Sequence, residues 1–271
     1  MDLKLNVSII KIISSVVSGT EDLVNSYNFF YPNQKYKLSD IITEILHVLQ
    51  TGISWNQLRS NINSRSLQWH FHKFVRYDIL KKSFDVLLKQ YLLKNNNCKY
   101  YSIDSTFIKN INGKQRIGRN KQYKWKNGYK LSAFVDQNGI PLSIFCGSGS
   151  AYDGYFLKKH IKKLKYYKIN IINKFVLADS GYCSDKNRKL IMDHQGKPII
   201  DYNKRKTKDP TKLKKLTSEE KIIYKKRIKV EHTFCWLKKN RRIDTVNEKS
   251  IKAFENFVYL AVVKLLVRRM Y

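Results

Sequence analysis

The apolar pattern of this chain changes near residue 95, and this change most limits the folds available to it. Before that point, apolar residues recur three and four positions apart, as on one face of an α-helix; the clearest set is Leu38, Ile41, Ile42, Ile45, Leu46 and Leu49. The run Asn95–Asn97 has the composition of a linker, and beyond it short runs rich in aromatic and β-branched residues are typical of strands. The sequence therefore predicts a helical N-terminal domain over residues 1–95 and a mixed α/β domain over residues 98–271.

The N-terminal part is predicted to contain several helices joined by short turns. The apolar start of the chain is interrupted by Lys4 and Lys11, which favours an amphipathic helix over a signal peptide. No window is long and apolar enough to suggest a membrane span. Further helices are predicted at Leu38–Thr51, from Trp55, through Trp69 and at Ile79–Leu93. This pattern suits a helix-turn-helix-like DNA-binding unit, and a plain helical bundle is the alternative.

The C-terminal part alternates predicted strands with predicted helices. Strands are predicted at Tyr100–Ile108, Tyr129–Val135, Ile140–Cys146, Phe175–Ala178 and Pro198–Ile200, and helices at Tyr155–Leu164, after Ser184, at Ser218–Lys239 and at Phe254–Arg268. Asp136-Gln137-Asn138-Gly139 is a hairpin signal between the second and third strands, and Asp153 is a natural N-cap for the helix that follows it. The order of these elements predicts a mixed α/β sheet flanked by helices.

The charge of the chain indicates a polyanionic partner. Its 53 Lys and Arg residues against 21 Asp and Glu give a formal net charge of +32. Ribosome-like or membrane-surface binding is the alternative under the same charge argument. Residues 203–215 form a densely basic loop, which is either a solvated linker or a phosphate-binding arm. The four cysteines include no C-x-x-C pair, which argues against a zinc site and for reduced thiols in an intracellular protein.

Three carboxylates stand out against this basic background. Asp104 interrupts the predicted strand Tyr100–Ile108, where a half-buried acid is costly without a cation or a hydrogen-bond donor. Asp179 directly follows the apolar run Phe175–Ala178, at the strand end where open α/β sheets place their sites. Metal ligation accounts for both residues. The alternatives are a hydrogen bond to a neighbouring hydroxyl for Asp104 and an Asx turn for Asp179.

Glu231 lies on the long predicted helix Ser218–Lys239. On a continuous helix, Tyr224, Arg227, Glu231 and Lys238 fall within an arc of roughly 60°, beside an apolar stripe of Ile223, Val230, Phe234 and Leu237. Glu231 is therefore expected at the rim of the buried seam. An ordinary i,i+4 ion pair between Arg227 and Glu231 is the alternative.

These residues also lie in blocks that resemble a known family. Tyr224-x2-Arg227-x3-Glu231-x6-Lys238 resembles the signature of the DDE transposases of bacterial-type insertion sequences, in the superfamily that covers insertion-sequence families four and five. The blocks Ile103–Thr106, Asn127–Leu142 and Leu177–Tyr182 resemble the first acid block, the hairpin that follows it and the second acid block. The helical segment 31–93 is similar to the N-terminal domain of the family, so that the resemblance covers about nine-tenths of the chain.

The resemblance implies an RNase H-like catalytic core in which Asp104, Asp179 and Glu231 are the catalytic residues. They would bind two Mg²⁺ ions, for which Mn²⁺ can substitute, about 3.5–4 Å apart. The chain would cleave DNA strands at the ends of an insertion sequence and join them to target DNA. The implied DNA-binding residues are Tyr224, Arg227, Lys238, Arg241 and Arg242.

The implied partners are double-stranded DNA, as terminal inverted repeats and as target, and a second copy of the chain in a homodimer that pairs two ends. No membrane partner is expected. The expected location is the bacterial cytoplasm with the nucleoid, or the nucleus or viral replication site in another host. Two alternatives retain the fold: a domesticated, non-catalytic DNA-binding protein, and an RNase H-like structure-specific nuclease.

Overall fold

A computed structural model describes residues 3–20, 36–95, 97–110, 112–115, 117–202 and 216–270. The helices are α1 (Leu3–Ser18), α2 (Leu38–Thr51), α3 (Ser64–Arg76), α4 (Ile79–Lys94), α5 (Asp153–Tyr166), α6 (Asp185–Asp193), α7 (Ser218–Tyr224), α8 (Ile228–Lys238), α9 (Arg241–Asp244) and α10 (Ile251–Met270). The strands are β1 (Tyr100–Asn110), β2 (Gly118–Asn120), β3 (Lys126–Val135), β4 (Pro141–Ser148), β5 (Phe175–Ala178), β6 (Lys197–Ile200) and β7 (Thr245–Val246).

The chain divides into two compact units that do not follow chain order. One comprises Met1–Lys94, Lys109–Gln115 and Trp236–Tyr271, and the other comprises Asn95–Ile108 and Arg116–Cys235. The first unit therefore takes in the C-terminal helix α10, which the predicted boundary assigned to the second domain. The division of the chain into one domain at residues 1–95 and another at residues 98–271 remains a prediction.

The first unit is helical, as the spacing of its apolar residues predicts. Helix α10 packs against α4, α1, α2 and α3, and its residues are buried on nearly every face. Trp55, Phe71 and Phe257 form an aromatic cluster in this core, with ring centroids 4.3–6.0 Å apart. Among the described helices, none combines the length and the apolar character that crossing a membrane demands.

The second unit is built around a mixed sheet. The strands follow the order β2-β3-β1-β5-β6, with β4 paired to β3. Strands β3 and β4 form an antiparallel hairpin, whereas β1, β5 and β6 are parallel neighbours. Helices flank this sheet, so the predicted mixed α/β class with an RNase H-like sheet and a helical N-terminal region is confirmed.

The hairpin turn forms as its sequence predicts. The carboxylate of Asp136 accepts hydrogen bonds from the backbone N–H groups of Asn138 and Ile140, at 2.9 and 2.8 Å. Gly139 has φ +78°, in the left-handed region that a residue without a side chain adopts at little cost. This turn fixes the pairing of β3 with β4, and β3 lies beside β1 on its other edge.

The prediction of one continuous helix at Ser218–Lys239 is wrong. A 3₁₀ turn at Lys225–Arg227 separates α7 from α8. Because a 3₁₀ turn winds more tightly than an α-helix, the single arc expected for Tyr224, Arg227, Glu231 and Lys238 does not continue across it. Within α8, however, Val230, Phe234 and Leu237 are buried as predicted.

Candidate active site

The register of the parallel strands aligns three aspartates. Ile103 of β1 pairs with Ala178 of β5, and Ala178 also pairs with Ile200 of β6. The next residues along the three strands are Asp104, Asp179 and Asp201. All three line one polar cleft. The sheet therefore brings together two of the predicted acids, 75 positions apart in the chain, at the carboxyl end of β5.

The carboxylate of Asp104 is held by a backbone amide and by the guanidinium of Arg227. Its Oδ1 accepts a hydrogen bond from the backbone N–H of Ser105 at 2.7 Å, and its Oδ2 lies 2.8 Å from Nη1 of Arg227. Only 19% of its side chain is exposed. Burial raises the pKa of Asp104 to about 6, with a smaller contribution from the negative charge of Asp179, although the Ser105 amide and Arg227 both act in the opposite direction.

Arg227 connects Asp104 to the third predicted acid. Its Nη2 lies 2.6 Å from Oε1 of Glu231, so that one guanidinium bridges carboxylates from β1 and α8. Burial opposes the charge of Arg227, but Asp104 leads the groups that raise its pKa above the ordinary value. The i,i+4 ion pair with Glu231 is therefore present, and the bond to Asp104 joins this pair to β1.

Asp179 forms the turn that the alternative interpretation predicted, and it also lines the cleft. Its Oδ1 accepts a hydrogen bond from the backbone N–H of Gly181 at 2.7 Å, and it caps the 3₁₀ turn Ser180–Tyr182. One carboxylate oxygen is engaged in this way. The turn thus fixes the direction of the Asp179 side chain at the end of β5.

The cleft contains an acid that was predicted to have another role. Asp153 was expected to be the N-cap of its helix, but Tyr152 occupies that position without a side-chain cap. The carboxylate of Asp153 instead accepts a hydrogen bond from the hydroxyl of Ser105 and lies 2.9 Å from Nζ of Lys130. Asp153 and Lys130 are therefore residues of the cleft that the sequence interpretation missed.

Different signals were available for the missed residues. Asp201 follows the apolar run Pro198–Ile200 just as Asp179 follows Phe175–Ala178, so the same argument could have identified it. The sequence around Asp153 and around Lys130 does not indicate that these side chains lie in the cleft. Their contacts join β1, β3 and α5, and these elements come together only in the folded chain.

A series of hydrogen bonds between buried side chains connects the backbone carbonyl of Asp104 to His160. The hydroxyl of Ser132 on β3 donates to the backbone carbonyl of Asp104 at 3.2 Å and lies 2.9 Å from Nε2 of His160. Nδ1 of His160 lies 2.5 Å from the hydroxyl of Ser143 on β4. Burial lowers the pKa of His160 to about 3, which keeps the ring neutral. Both ring nitrogens are engaged, so the ring fixes β3 and β4 relative to α5.

The predicted DNA-binding residues differ in environment. Tyr224 is half-buried and lies against Arg227, with the guanidinium carbon 5.8 Å from the ring centroid. Arg227 is engaged with carboxylates, as described above. Lys238 is the last residue of α8 and is half-buried, and Arg241 is exposed.

The environment of Arg242 differs from that of the other four residues. Its side chain is 3% exposed and its guanidinium lies 2.6 Å from the carboxylate of Glu248. It also donates to the backbone carbonyl of Ile53 at 3.2 Å. These contacts indicate that Arg242 helps to hold the helical unit together, and its predicted contact with DNA stays a prediction.

The chemistry of the acids fits a divalent cation. Carboxylate oxygens are hard ligands suited to Mg²⁺ or Mn²⁺, and a cation would offset the charge that burial and Asp179 make costly on Asp104. In the described part of the chain, no three His, Cys, Asp or Glu side chains lie close enough together to hold a metal. Asp104 and Asp179 nevertheless have the oxygen ligands that such a cation prefers, and Oε1 of Glu231 is engaged with Arg227.

The pKa of Asp104 predicts how stability depends on pH. Because the pKa of Asp104 rises from 3.8 to about 6 on folding, the folded state binds the carboxyl proton more tightly than the unfolded state does. The stabilisation that this proton contributes to the folded state is lost as the pH rises through 6. In metal-free buffer, Asp104→Asn should raise the free energy of unfolding at neutral pH by roughly 1–3 kcal/mol. Urea unfolding measures the difference, which should shrink towards pH 4. The exposed Asp193→Asn is the control, and a difference that does not change with pH would contradict the argument.

A known protein family and a solved transposase structure are similar to this chain. Residues 100–266 match the family model described as the Transposase DDE domain. The fold is similar to that of the piggyBac transposase in a synaptic complex with hairpin DNA, with a TM-score of 0.58 and 10% identity over 98% of this chain and 75% of that one. The Mos1 transposase in a paired-end complex with the left transposon end aligns at a TM-score of 0.28, with 8% identity over 78% of this chain and 80% of that one, which is too low to indicate a shared fold.

No curated protein matches the sequence. The family match, however, spans well over half of the chain and includes Asp104, Asp179, Arg227 and Glu231. The chain therefore belongs to the DDE transposase family.

Proposed function

We propose that this chain is an active transposase that catalyses divalent-metal-dependent cleavage and strand transfer of DNA at the ends of an insertion sequence. The observation that carries the proposal is the pair Asp104 and Asp179, which strand register aligns in one cleft. Arg227 links Asp104 to Glu231. These contacts support a site that contains all three acids.

Asp104 and Asp179 would hold the cations, and Glu231 would join them once Arg227 releases it. When bound, the cations would activate the attacking water or 3′-hydroxyl and stabilise the leaving oxygen. Arg227 balances the charge of Asp104 and Glu231 and holds both side chains in place. Released from the carboxylates, its guanidinium would be available to a DNA phosphate, the role predicted for it. Lys130 holds Asp153 beside Ser105, which keeps the wall of the cleft rigid.

The DNA partners follow from the same proposal. The piggyBac neighbour is a synaptic complex with hairpin DNA, and pairing two ends requires two active sites. We therefore propose that the chain binds terminal inverted repeats and target DNA as at least a homodimer. The helical N-terminal region would supply part of the DNA contact. The basic loop at residues 203–215 lies outside the described residues.

An assay with terminal DNA tests the proposed function. Inverted repeats flanking the gene supply the sequence of the ends, and purified protein is incubated with these ends, a target plasmid and Mg²⁺ or Mn²⁺. Joined product supports the proposal. Cleaved product without joining would instead indicate a structure-specific nuclease, and a mobility shift without cleavage would indicate a non-catalytic DNA-binding protein.

Lys238→Ala tests a predicted phosphate contact separately from the chemistry. If Lys238 contacts one phosphate, its loss should weaken DNA binding and reduce the slope of log affinity against log salt concentration by about one. Fluorescence anisotropy over a series of salt concentrations measures this slope. The exposed Lys189→Ala on α6 is the control and should leave the slope unchanged. An unaltered slope in Lys238→Ala would remove this residue from the DNA interface.

A further inference from the structure

Three cations surround one indole ring on the surface of the first unit. Nζ of Lys239 lies 4.4 Å from the ring centroid of Trp236, and the guanidinium carbons of Arg268 and Arg269 lie 4.9 and 5.5 Å from it. Trp236 is half-buried on α8, whereas the three cations are exposed. Lys239 directly follows α8, and both arginines lie in the last turn of α10. Two helices therefore bring positive charge to the same ring.

Carboxylates do not neutralise this charge. Within the described ranges, the ion pairs include none that joins Lys239, Arg268 or Arg269 to an acid. A fourth cation, Lys264, lies one turn before Arg268 and donates to the neutral side-chain amide of Asn240 at 3.1 Å. Burial, together with the positive charge of Arg268, lowers the pKa of Lys264. The end of α10 is thus a place where like charges repel one another.

The ends of the two helices account for only part of this cluster. The carbonyl end of an α-helix carries about half a unit of negative charge, which favours cations in the last turn. Two such ends offset roughly one of the three charges, so that a net charge of about +2 remains. The indole ring holds the cations over its π system but is itself neutral. An anion bound at this position would relieve the remaining repulsion.

The chemistry of the three side chains suits phosphate. An arginine guanidinium binds phosphate oxygens through two parallel N–H donors, and a lysine adds a compact positive charge. Lys239 also directly follows Lys238, which is a predicted phosphate contact. The family match ends at residue 266, so Arg268 and Arg269 lie beyond the matched residues and the match assigns them no role.

We propose that Lys239, Arg268 and Arg269, held in place by Trp236, bind backbone phosphates of duplex DNA. This inference rests on the proposed function, because it takes DNA as the polyanion. None of the four residues is among those that line the acidic cleft, so the contact adds affinity without taking part in the chemistry. Because the cations engage phosphates, the contact does not depend on the base sequence.

The salt dependence of DNA binding tests this proposal in metal-free buffer, where no cleavage occurs. The probe is a fluorescein-labelled duplex of about 20 base pairs and arbitrary sequence, and fluorescence anisotropy measures its affinity over a series of salt concentrations. Arg268→Gln combined with Arg269→Gln should weaken binding about tenfold and reduce the slope of log affinity against log salt concentration by about two. Arg268→Lys combined with Arg269→Lys should keep most of the slope, because both charges remain.

Lys186→Gln combined with Lys189→Gln is the charge-matched control. Both lysines are exposed on α6, and the change removes the same two charges from another surface. This variant should keep the wild-type slope. Trp236→Leu should weaken binding without changing the slope, because the cations lose their support but keep their charge. Trp236→Phe should bind more tightly than Trp236→Leu, since a ring remains.

Three results would overturn the assignment: an unchanged slope in the double arginine variant, an equal loss of slope in the α6 control, or displacement of the duplex by pyrophosphate at concentrations far below those of sulfate at equal ionic strength. The last result would assign the cluster to a small phosphorylated ligand. Cleavage and joining of terminal DNA test the proposed function separately. If joining fails while the double arginine variant alone loses slope, the DNA contact stands and the proposed function does not.

Discussion

Asp104→Asn, Asp179→Asn and Glu231→Gln are each expected to reduce DNA cleavage and strand transfer by about a thousandfold or more. Each substitution removes a charged oxygen from the proposed metal site, where the cation supplies several kcal/mol of transition-state stabilisation. Binding of terminal DNA should persist, because the substitutions remove negative charge from a surface that binds an anion. Single-turnover cleavage assays, together with mobility shifts, measure the two effects on the same preparations.

Asp193→Asn is the matched control for these variants. Asp193 is an exposed aspartate at the end of α6 and is not among the residues that line the cleft, so its substitution should leave the rate unchanged. Wild-type rates in any of the three acid variants would remove that residue from the catalytic site. A loss confined to Asp104 and Asp179 would show that Arg227 keeps Glu231 out of the metal site.

Arg242→Ala is expected to destabilise the protein by about 3–5 kcal/mol, because it leaves the buried carboxylate of Glu248 without its partner. The change also removes a guanidinium that lies 5.5 Å from the ring centroid of Phe257. Urea unfolding monitored by tryptophan fluorescence measures the loss. Arg242→Met combined with Glu248→Gln should recover part of it, since neither buried charge then remains.

The neighbouring Arg241 provides the control, because it is exposed and of the same residue type. Arg241→Ala should change the free energy of unfolding by no more than about 0.5 kcal/mol. If Arg242→Ala were as stable as the wild type but bound DNA more weakly, the original prediction of a DNA contact would be correct and the structural role wrong.

Much of the secondary structure could be predicted because it depends on local patterns. The apolar run Phe175–Ala178 forms a strand with the predicted bounds, and the Asn138-Gly139 turn joins the predicted hairpin. Helix α2 begins at Leu38 and ends at Thr51 beside Gly52, as its apolar spacing indicates. In each case, periodicity and turn chemistry act over a few residues, which is the range that a sequence displays directly.

The break at Lys225–Arg227 and the burial of Arg242 could not be predicted in the same way. Arg227 bonds to Asp104, which lies 123 positions earlier in the chain, and Arg242 donates to a backbone carbonyl of Ile53. No periodic pattern in the sequence indicates which distant residue a side chain will contact. A charged residue on a helix has the same local sequence whether its partner is water or a buried carboxylate.

By itself, the sequence determined the class of the fold, the positions of most helices and strands, and the presence of acids at strand ends in a basic chain. Only the tertiary structure decided which acids lie together in one cleft. The register of β1, β5 and β6 aligns Asp104, Asp179 and Asp201, and the packing of α5 brings Asp153 to the same cleft. The physical reason is that local propensity specifies each element, whereas the pairing of distant elements depends on the burial of their apolar faces against one another.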